Sequence, residues 1–239
     1  MKDIENSNEL DDHEFENEVA MLDKFRSEYI VYFFGAVFVS NKVSLVTEFA
    51  EFGSLRDLID HKKASEIETK LRNKFMLDAS KGILYLHKNG ILHRDVKPDN
   101  ILIYSLNFSD NVIAKLTDFG SSRNFNMMMT NMTFTKGVGT PSYMAPEVLK
   151  RDKYKKAADV YSFALTMYEC FGWCFAYDND DFTYPWKIAD FVTRGLRLPK
   201  TSDMSNEQYN ILSLSWKQCP NDRIEIEEVV NMLENILIE

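Results

Sequence analysis

Apolar residues recur at spacings of four and three over residues 12–25, at Phe15, Val19, Leu22 and Phe25, and that period predicts an amphipathic helix. The next two stretches, YIVYFFGAVFVS and KVSLVTEF, are rich in β-branched and aromatic residues with Asn41 and Lys42 at their junction, which predicts a hairpin. From residue 54 the pattern turns helical. SLRDLIDH follows Gly53 and has Ser54 as its N-cap. A long helix is expected through Leu71, Phe75, Ala79, Ile83 and Leu86, stopping at Gly90. NILIY and AKLTDF read as two short strands, and the methionine-rich NMMMTNM that follows reads as adaptable surface. DVYSFALTMYECF is apolar on nearly every face, which predicts a helix buried on all sides. Ile226, Val229, Leu233 and Ile236 mark a closing amphipathic helix. The class is α+β, with a small, partly β part over residues 1–50 and a larger helical part over 51–239.

At 239 residues and 45% hydrophobic content, the chain can bury a core as one large domain or two small lobes. A formal charge of -9 argues against general nucleic-acid binding, which needs a basic surface to neutralise phosphates. One local run is basic: Lys150, Arg151, Lys153, Lys155 and Lys156. Solvated surface is the simplest reading of it, and a docking patch for an acidic partner is the alternative. Cys170, Cys174 and Cys219 lack paired spacing or accompanying histidines, so reduced thiols in a cytoplasmic protein are expected rather than a zinc site. The first twenty residues are acidic and polar, unlike a secretory signal, and no apolar run is long enough to span a membrane. The chain is expected to be soluble. No sequence pattern specifies an oligomeric state.

The chemistry is concentrated in ILHRDVKPDNI at 91–101 and KLTDFG at 115–120. Together they put Asp95, Lys97, Asn100 and Asp118 in two short loops flanking a hairpin. That is one acid beside a cation, with an amide and a second acid suited to a hard cation such as Mg²⁺. Phosphoryl transfer needs this equipment, because positioning and charge neutralisation do most of the catalysis. These phrases resemble the catalytic loop and metal loop of eukaryotic protein kinases. GTPSYMAPE at 139–147 resembles the end of a kinase activation segment, ADVYSFALTMYE the central helix of the larger lobe, and SWKQCPNDR its late Trp-and-Arg signature.

The resemblance implies a bilobal protein-kinase-like fold that uses ATP and Mg²⁺ to phosphorylate a protein substrate. Asp95 would orient the substrate hydroxyl and take its proton, Lys97 would neutralise the phosphoryl group, and Asn100 and Asp118 would hold Mg²⁺. Arg94 would receive an activation-loop phosphate, with Thr133 and Thr135 as candidate acceptors. Thr47 falls at the gatekeeper position, and Glu48 through Ala50 at the hinge whose backbone reads adenine. Glu147 and Arg223 resemble the buried pair that fastens the activation segment, and Asp159 the acid that anchors the catalytic loop. Leu22, Phe33, His93 and Phe119 would stack as an apolar column between lobes, which makes His93 a packed histidine rather than a base. Lys97 and the platform residue Thr140 resemble the serine/threonine pattern, while FENEVAML and DVYSFALTMYE resemble the tyrosine-kinase-like group. Tyrosine or dual specificity stays open.

One feature departs from the family: no G-x-G-x-x-G occurs anywhere in the sequence. Lys2 stands sixteen residues before Glu18, which matches the helix glutamate that pairs with the nucleotide lysine. The expectation is an N-terminal β lobe truncated just before that lysine, with impaired ATP binding and an exposed sheet edge. The alternatives are a non-catalytic kinase-like interaction module and, less favoured by Ala145-Pro146-Glu147, Arg223 and Thr140, a small-molecule phosphotransferase.

Overall fold

The computed structural model describes residues 24–39, 42–118, 122–124 and 141–238. The body of the predicted helix over 12–25 lies outside them. At its end Lys24 is helical and Phe25 is not, although Phe25 packs against the core. The expected hairpin is β1 (Phe33–Val39) paired antiparallel with β2 (Lys42–Thr47). Lys42 pairs with Val39 and so belongs to the strand rather than to the connection. The register shifts between Phe33 and Gly35, a bulge that leaves Phe34 exposed while Phe33 is buried. The hairpin is tied to the helical part through the chain just before it. Val31 N–H donates to the Leu116 carbonyl at 2.9 Å, and Leu116 N–H donates to the Tyr29 carbonyl at 3.0 Å.

Helix α1 (Leu55–His61) begins as its sequence predicts. The Ser54 hydroxyl accepts from Asp57 N–H at 3.1 Å and the Asp57 carboxylate accepts from Ser54 N–H at 2.8 Å. This reciprocal cap is worth about 1 kcal/mol. Helix α2 (Thr69–Lys88) ends where Gly90 adopts φ 77°, a left-handed turn that costs glycine nothing. Within it, Gly82 allows a close approach: a Cβ there would sit 2.9 Å from the Tyr29 carbonyl and 2.8 Å from Leu116 Cδ1. The helix can therefore lie directly against the segment that carries the hairpin.

The short strands follow in pairs. β3 (Ile91–Leu92) pairs antiparallel with β6 (Arg123–Asn124), and β4 (Ile101–Ile103) with β5 (Ala114–Leu116). Four helices complete the chain after α3 (Pro146–Leu149): α4 (Lys156–Gly172), α5 (Pro185–Thr193), α6 (Asn206–Ser215) and α7 (Ile226–Ile238). Every residue of α4 from Ala158 to Gly172 is buried, which explains its unbroken apolar pattern. It packs on α2 and α6, and α2 packs in turn on α7 and β5. Phe75, Met76 and Ile83 of α2 and Phe163 and Phe171 of α4 are fully enclosed in this core. Each such side chain contributes about 1.5–3 kcal/mol by leaving water. Two acids, Asp159 and Glu169, are carried into the core on α4 with them.

Candidate active site

The connection between β3 and β4 carries Asp95, Lys97 and Asn100, and the chain leaving β5 carries Asp118. Asn100 and Asp118 are distant in sequence, but strand register brings them close. Ile101 faces Leu116, and Thr117 N–H donates to the Asn100 carbonyl at 3.1 Å, so Asn100 lies against the residue just before Asp118. Lys97 Nζ donates to Asp95 Oδ2 at 2.6 Å. Asn100 Nδ2 donates to the Asp95 carbonyl at 2.8 Å and to Oδ2 at 3.2 Å. One carboxylate oxygen of Asp95 is thus fixed by a cation and an amide. Asn100 is 5% exposed, and its Oδ1 accepts no hydrogen bond from any described residue. An unbonded carboxamide oxygen of this kind, beside an aspartate, suits a hard cation.

Two left-handed residues mark the same loops: Arg94 at φ 73° and Asp118 at φ 62°. Such conformations cost about 1–3 kcal/mol each outside glycine and persist where the surroundings enforce them. For Arg94 the enforcing group is Asp159. Its Oδ1 accepts from Arg94 N–H at 2.9 Å and its Oδ2 from His93 N–H at 3.0 Å. His87 Nε2 at 2.8 Å and the Tyr154 hydroxyl at 2.8 Å complete the set. Burial alone would raise the Asp159 carboxyl, but the His87 hydrogen bond and charge and the Arg94 N–H outweigh it, and its pKa is lowered. His93 is fully buried, and its Nε2 donates to the Thr117 carbonyl at 3.1 Å, so it bridges the two loops.

A family model for the protein kinase domain matches residues 1–233. The chain belongs to the protein kinase domain family. It is 33% identical over 237 residues to the probable serine/threonine-protein kinase gdt2 of Dictyostelium discoideum, covering 96% of this chain and 14% of that protein. It is also 33% identical over 228 residues to the serine/threonine-protein kinase STY17 of Arabidopsis thaliana, covering 95% of this chain and 38% of that protein. The putative serine/threonine-protein kinase/receptor R818 of Acanthamoeba polyphaga mimivirus is 32% identical over 226 residues, 94% of this chain and 13% of its own length. The chain therefore spans well under half the length of these relatives. Kinase domains of this family act on ATP with Mg²⁺ and phosphorylate proteins. Among the described residues, no helix is long and apolar enough to cross a membrane.

The remaining candidates of the kinase domain fall into place unevenly. Arg223 meets Glu147 through two parallel bonds, Nη1 to Oε1 at 2.6 Å and Nη2 to Oε2 at 2.7 Å. It also donates to the carbonyls of Lys217 and Ala157, and its side chain is entirely buried. Thr47 closes β2 opposite Phe33. Glu48 N–H donates to the Tyr32 carbonyl at 2.9 Å, while its carboxylate accepts from Lys115 Nζ at 2.7 Å and from Tyr32 N–H at 2.7 Å. Its side chain is thereby held on β5 and the approach to β1, and only its backbone carbonyl is left for a ligand. The Ala50 N–H, two residues on, bonds to no described residue.

Lys2, Glu18, Leu22, Phe119, Thr133, Thr135 and Thr140 lie outside the described residues. The structure also shows partners that pattern reading missed. Glu169 Oε2 accepts from Arg56 Nη2 and, at 2.8 Å, from the Tyr143 hydroxyl, and Oε1 accepts from Ala176 N–H at 2.8 Å. The available signal was an acid inside a helix otherwise apolar on every face. For His87, the corresponding signal was an imidazole in the last turn of the helix that leads into the connection carrying Asp95.

Proposed function

We propose that this kinase domain transfers the γ-phosphoryl group of ATP to serine or threonine hydroxyls of a protein substrate. The observation that carries this reading is Asp95, with Oδ2 clamped by Lys97 and Asn100 in a loop that the buried Asp159 holds by two backbone N–H groups. Asp95 orients the substrate hydroxyl and accepts its proton as the oxygen attacks phosphorus, a contribution of about 10²–10⁴-fold. Lys97 offsets the negative charge spread over the transferring group. Asn100, through its unbonded Oδ1, and Asp118 are the groups that would hold Mg²⁺. When bound, the metal would supply charge neutralisation for the transferring phosphoryl group. The Glu48 carbonyl and Ala50 N–H form an acceptor and donor two residues apart, suited to the edge of adenine, with Thr47 at the back of the slot. Lys2 is assigned to the nucleotide phosphates and Glu18 to the carboxylate that pairs with it, both by resemblance to the family's lysine and helix glutamate.

Arg94, whose guanidinium lies 5.7 Å from the Tyr154 ring, is the receiver proposed for a phosphate on Thr133 or Thr135, and Thr140 the substrate-platform residue. Lys97, and relatives named serine/threonine kinases, favour hydroxyls of serine and threonine over tyrosine. We assign residues 1–50 to the smaller lobe and 51–239 to the larger, and a cytoplasmic place of action fits three unpaired cysteines.

The test is phosphate transfer from labelled ATP to a mixed serine/threonine/tyrosine peptide library. Asp95→Asn should lower the rate by about 10²–10⁴-fold with Mg-ATP affinity retained. Equal rates for the variant and the parent chain would overturn the assignment. The alternative reading is a kinase-like interaction module. Absence of both transfer and any Mg-ATP stabilisation of the parent chain would select it.

A further inference from the structure

A cavity of about 780 Å³ opens beside the junction of α2, α4 and α7, away from Asp95. This is within the range of small-molecule sites, about 300–1,000 Å³. Leu84, Leu92, Val160 and Ile224 give it apolar surface, and the rings of His87 and Tyr154 form part of its wall. His87 is only 4% exposed, with Nε2 committed to Asp159, and its Nδ1 has no partner among the described residues. An unpartnered ring nitrogen on a residue lining the cavity is a hydrogen-bonding point for something that enters.

The rim is polarised. Lys153, Lys155 and Lys156, at the start of α4, stand on one side of it. Glu225 and Glu227 stand on the other, where Glu227 is paired with Lys88 at 2.9 Å. Lys153 and Lys155 are exposed. In a chain of net charge -9, this basic edge is a local reversal that attracts anions.

We infer that the cavity binds a small aryl-bearing organic anion, with its ring against the apolar wall and its carboxylate or similar head toward Lys153 and Lys155. Occupancy reaches the catalytic loop by a short path. His87 and Tyr154 both contact the ligand space and both donate to Asp159, which holds the His93 and Arg94 N–H groups. A ligand that shifts either ring moves the anchor of that loop, so the cavity is an effector site as well as a binding site.

The test is a titration of the ¹⁵N-labelled chain with 2-naphthoate and with 2-naphthamide, which keeps the ring and removes the charge. Naphthoate should shift amides around His87 and Lys153 through Val160, and also those of His93 and Arg94. It should bind roughly fivefold or more tightly than naphthamide. The double variant Lys153→Glu/Lys155→Glu should weaken naphthoate about tenfold and leave naphthamide unchanged. Ala157→Phe, which adds a ring to the cavity lining, should abolish binding of both. Equal affinity for the two probes, failure of naphthoate to bind, or full affinity in a folded Ala157→Phe protein would overturn the site. Shifts confined to the cavity, with His93 and Arg94 unmoved, would overturn the coupling. Should Ala157→Phe not fold, the two exposed lysines decide, since their replacement leaves the core untouched.

Discussion

Helix α4 carries one buried carboxylate near each end, and the two behave oppositely. Asp159, in the first turn, is fully buried and collects donors from His87, Tyr154 and the backbone N–H groups of His93 and Arg94. Glu169, near the last turn, is 2% exposed and meets Arg56, Tyr143 and Ala176. Burial pushes both carboxyls up. At Asp159 the His87 imidazole and the Arg94 N–H outweigh it, and the pKa is lowered. At Glu169 burial prevails over Arg56, the Ala176 N–H and the Tyr143 hydroxyl, and the pKa is raised. The helix dipole acts in the same sense, favouring negative charge at the N-terminal end and opposing it at the C-terminal end. A buried acid at a helix start is therefore a strong anchor for a loop. The same acid at a helix end is a looser joint, here between α1, Tyr143 and α4.

The largest expected effect follows from removing each acid. Asp159→Ala should cost about 3–5 kcal/mol in denaturant unfolding, because it strands two buried N–H groups and an imidazole at once. Phosphate transfer should fall with it, since the left-handed turn at Arg94 loses its support. Glu169→Ala should cost less, about 1–3 kcal/mol, because Arg56 keeps a distant second carboxylate, Asp60 at 3.8 Å. Equal costs would break the contrast between the two ends.

Acid titration sharpens it, because the signs differ. A lowered folded pKa gives Asp159 a stabilising contribution that is present above the ordinary carboxylate value of about 4 and fades as pH falls through the folded value. The deficit of Asp159→Asn should therefore be full at pH 7 and shrink below about pH 4. A raised folded pKa does the reverse for Glu169: its contribution is full below about pH 4 and declines as pH rises through the folded value. The deficit of Glu169→Gln should be larger at acid pH than at pH 7. Thermal melts of both variants and the parent chain across that range would show it. Parallel deficits would refute the assignment of opposite shifts.

The smallest effect belongs to Tyr143→Phe, which removes one donor to Glu169 while Arg56 and Ala176 N–H remain. About 1 kcal/mol is expected in unfolding, with little change at the Asp159 end.

Local chemistry made much of this architecture legible in advance. The α1 cap was written in Ser54 and Asp57, the end of α2 in Gly90, and the enclosure of α4 in its unbroken apolar run. Asp95, Lys97, Asn100 and Asp118 stood out because their phrases occur together and in family order. The hairpin connection was misplaced by a residue, as Lys42 carries no pattern that separates a strand end from a turn. The partners of Glu48 were not legible either. Nothing in the alternation of LVTEF says that its carboxylate would turn to Lys115, sixty-seven residues away.

Residue types and their spacing were sufficient, by themselves, to determine the α+β class and most element positions, because these depend on short-range periodicity, and contiguous phrases carried the resemblance to protein kinases. The tertiary structure alone decided which buried charges meet. The register of β4 on β5 brings Asn100 to Thr117, beside Asp118, and the packing of α4 under the β3–β4 connection carries Asp159 to Arg94. The same packing places His87 and Tyr154 between that aspartate and an open cavity. Such pairings are set by how helices and strands lie across one another, and no local sequence pattern specifies that distance or direction.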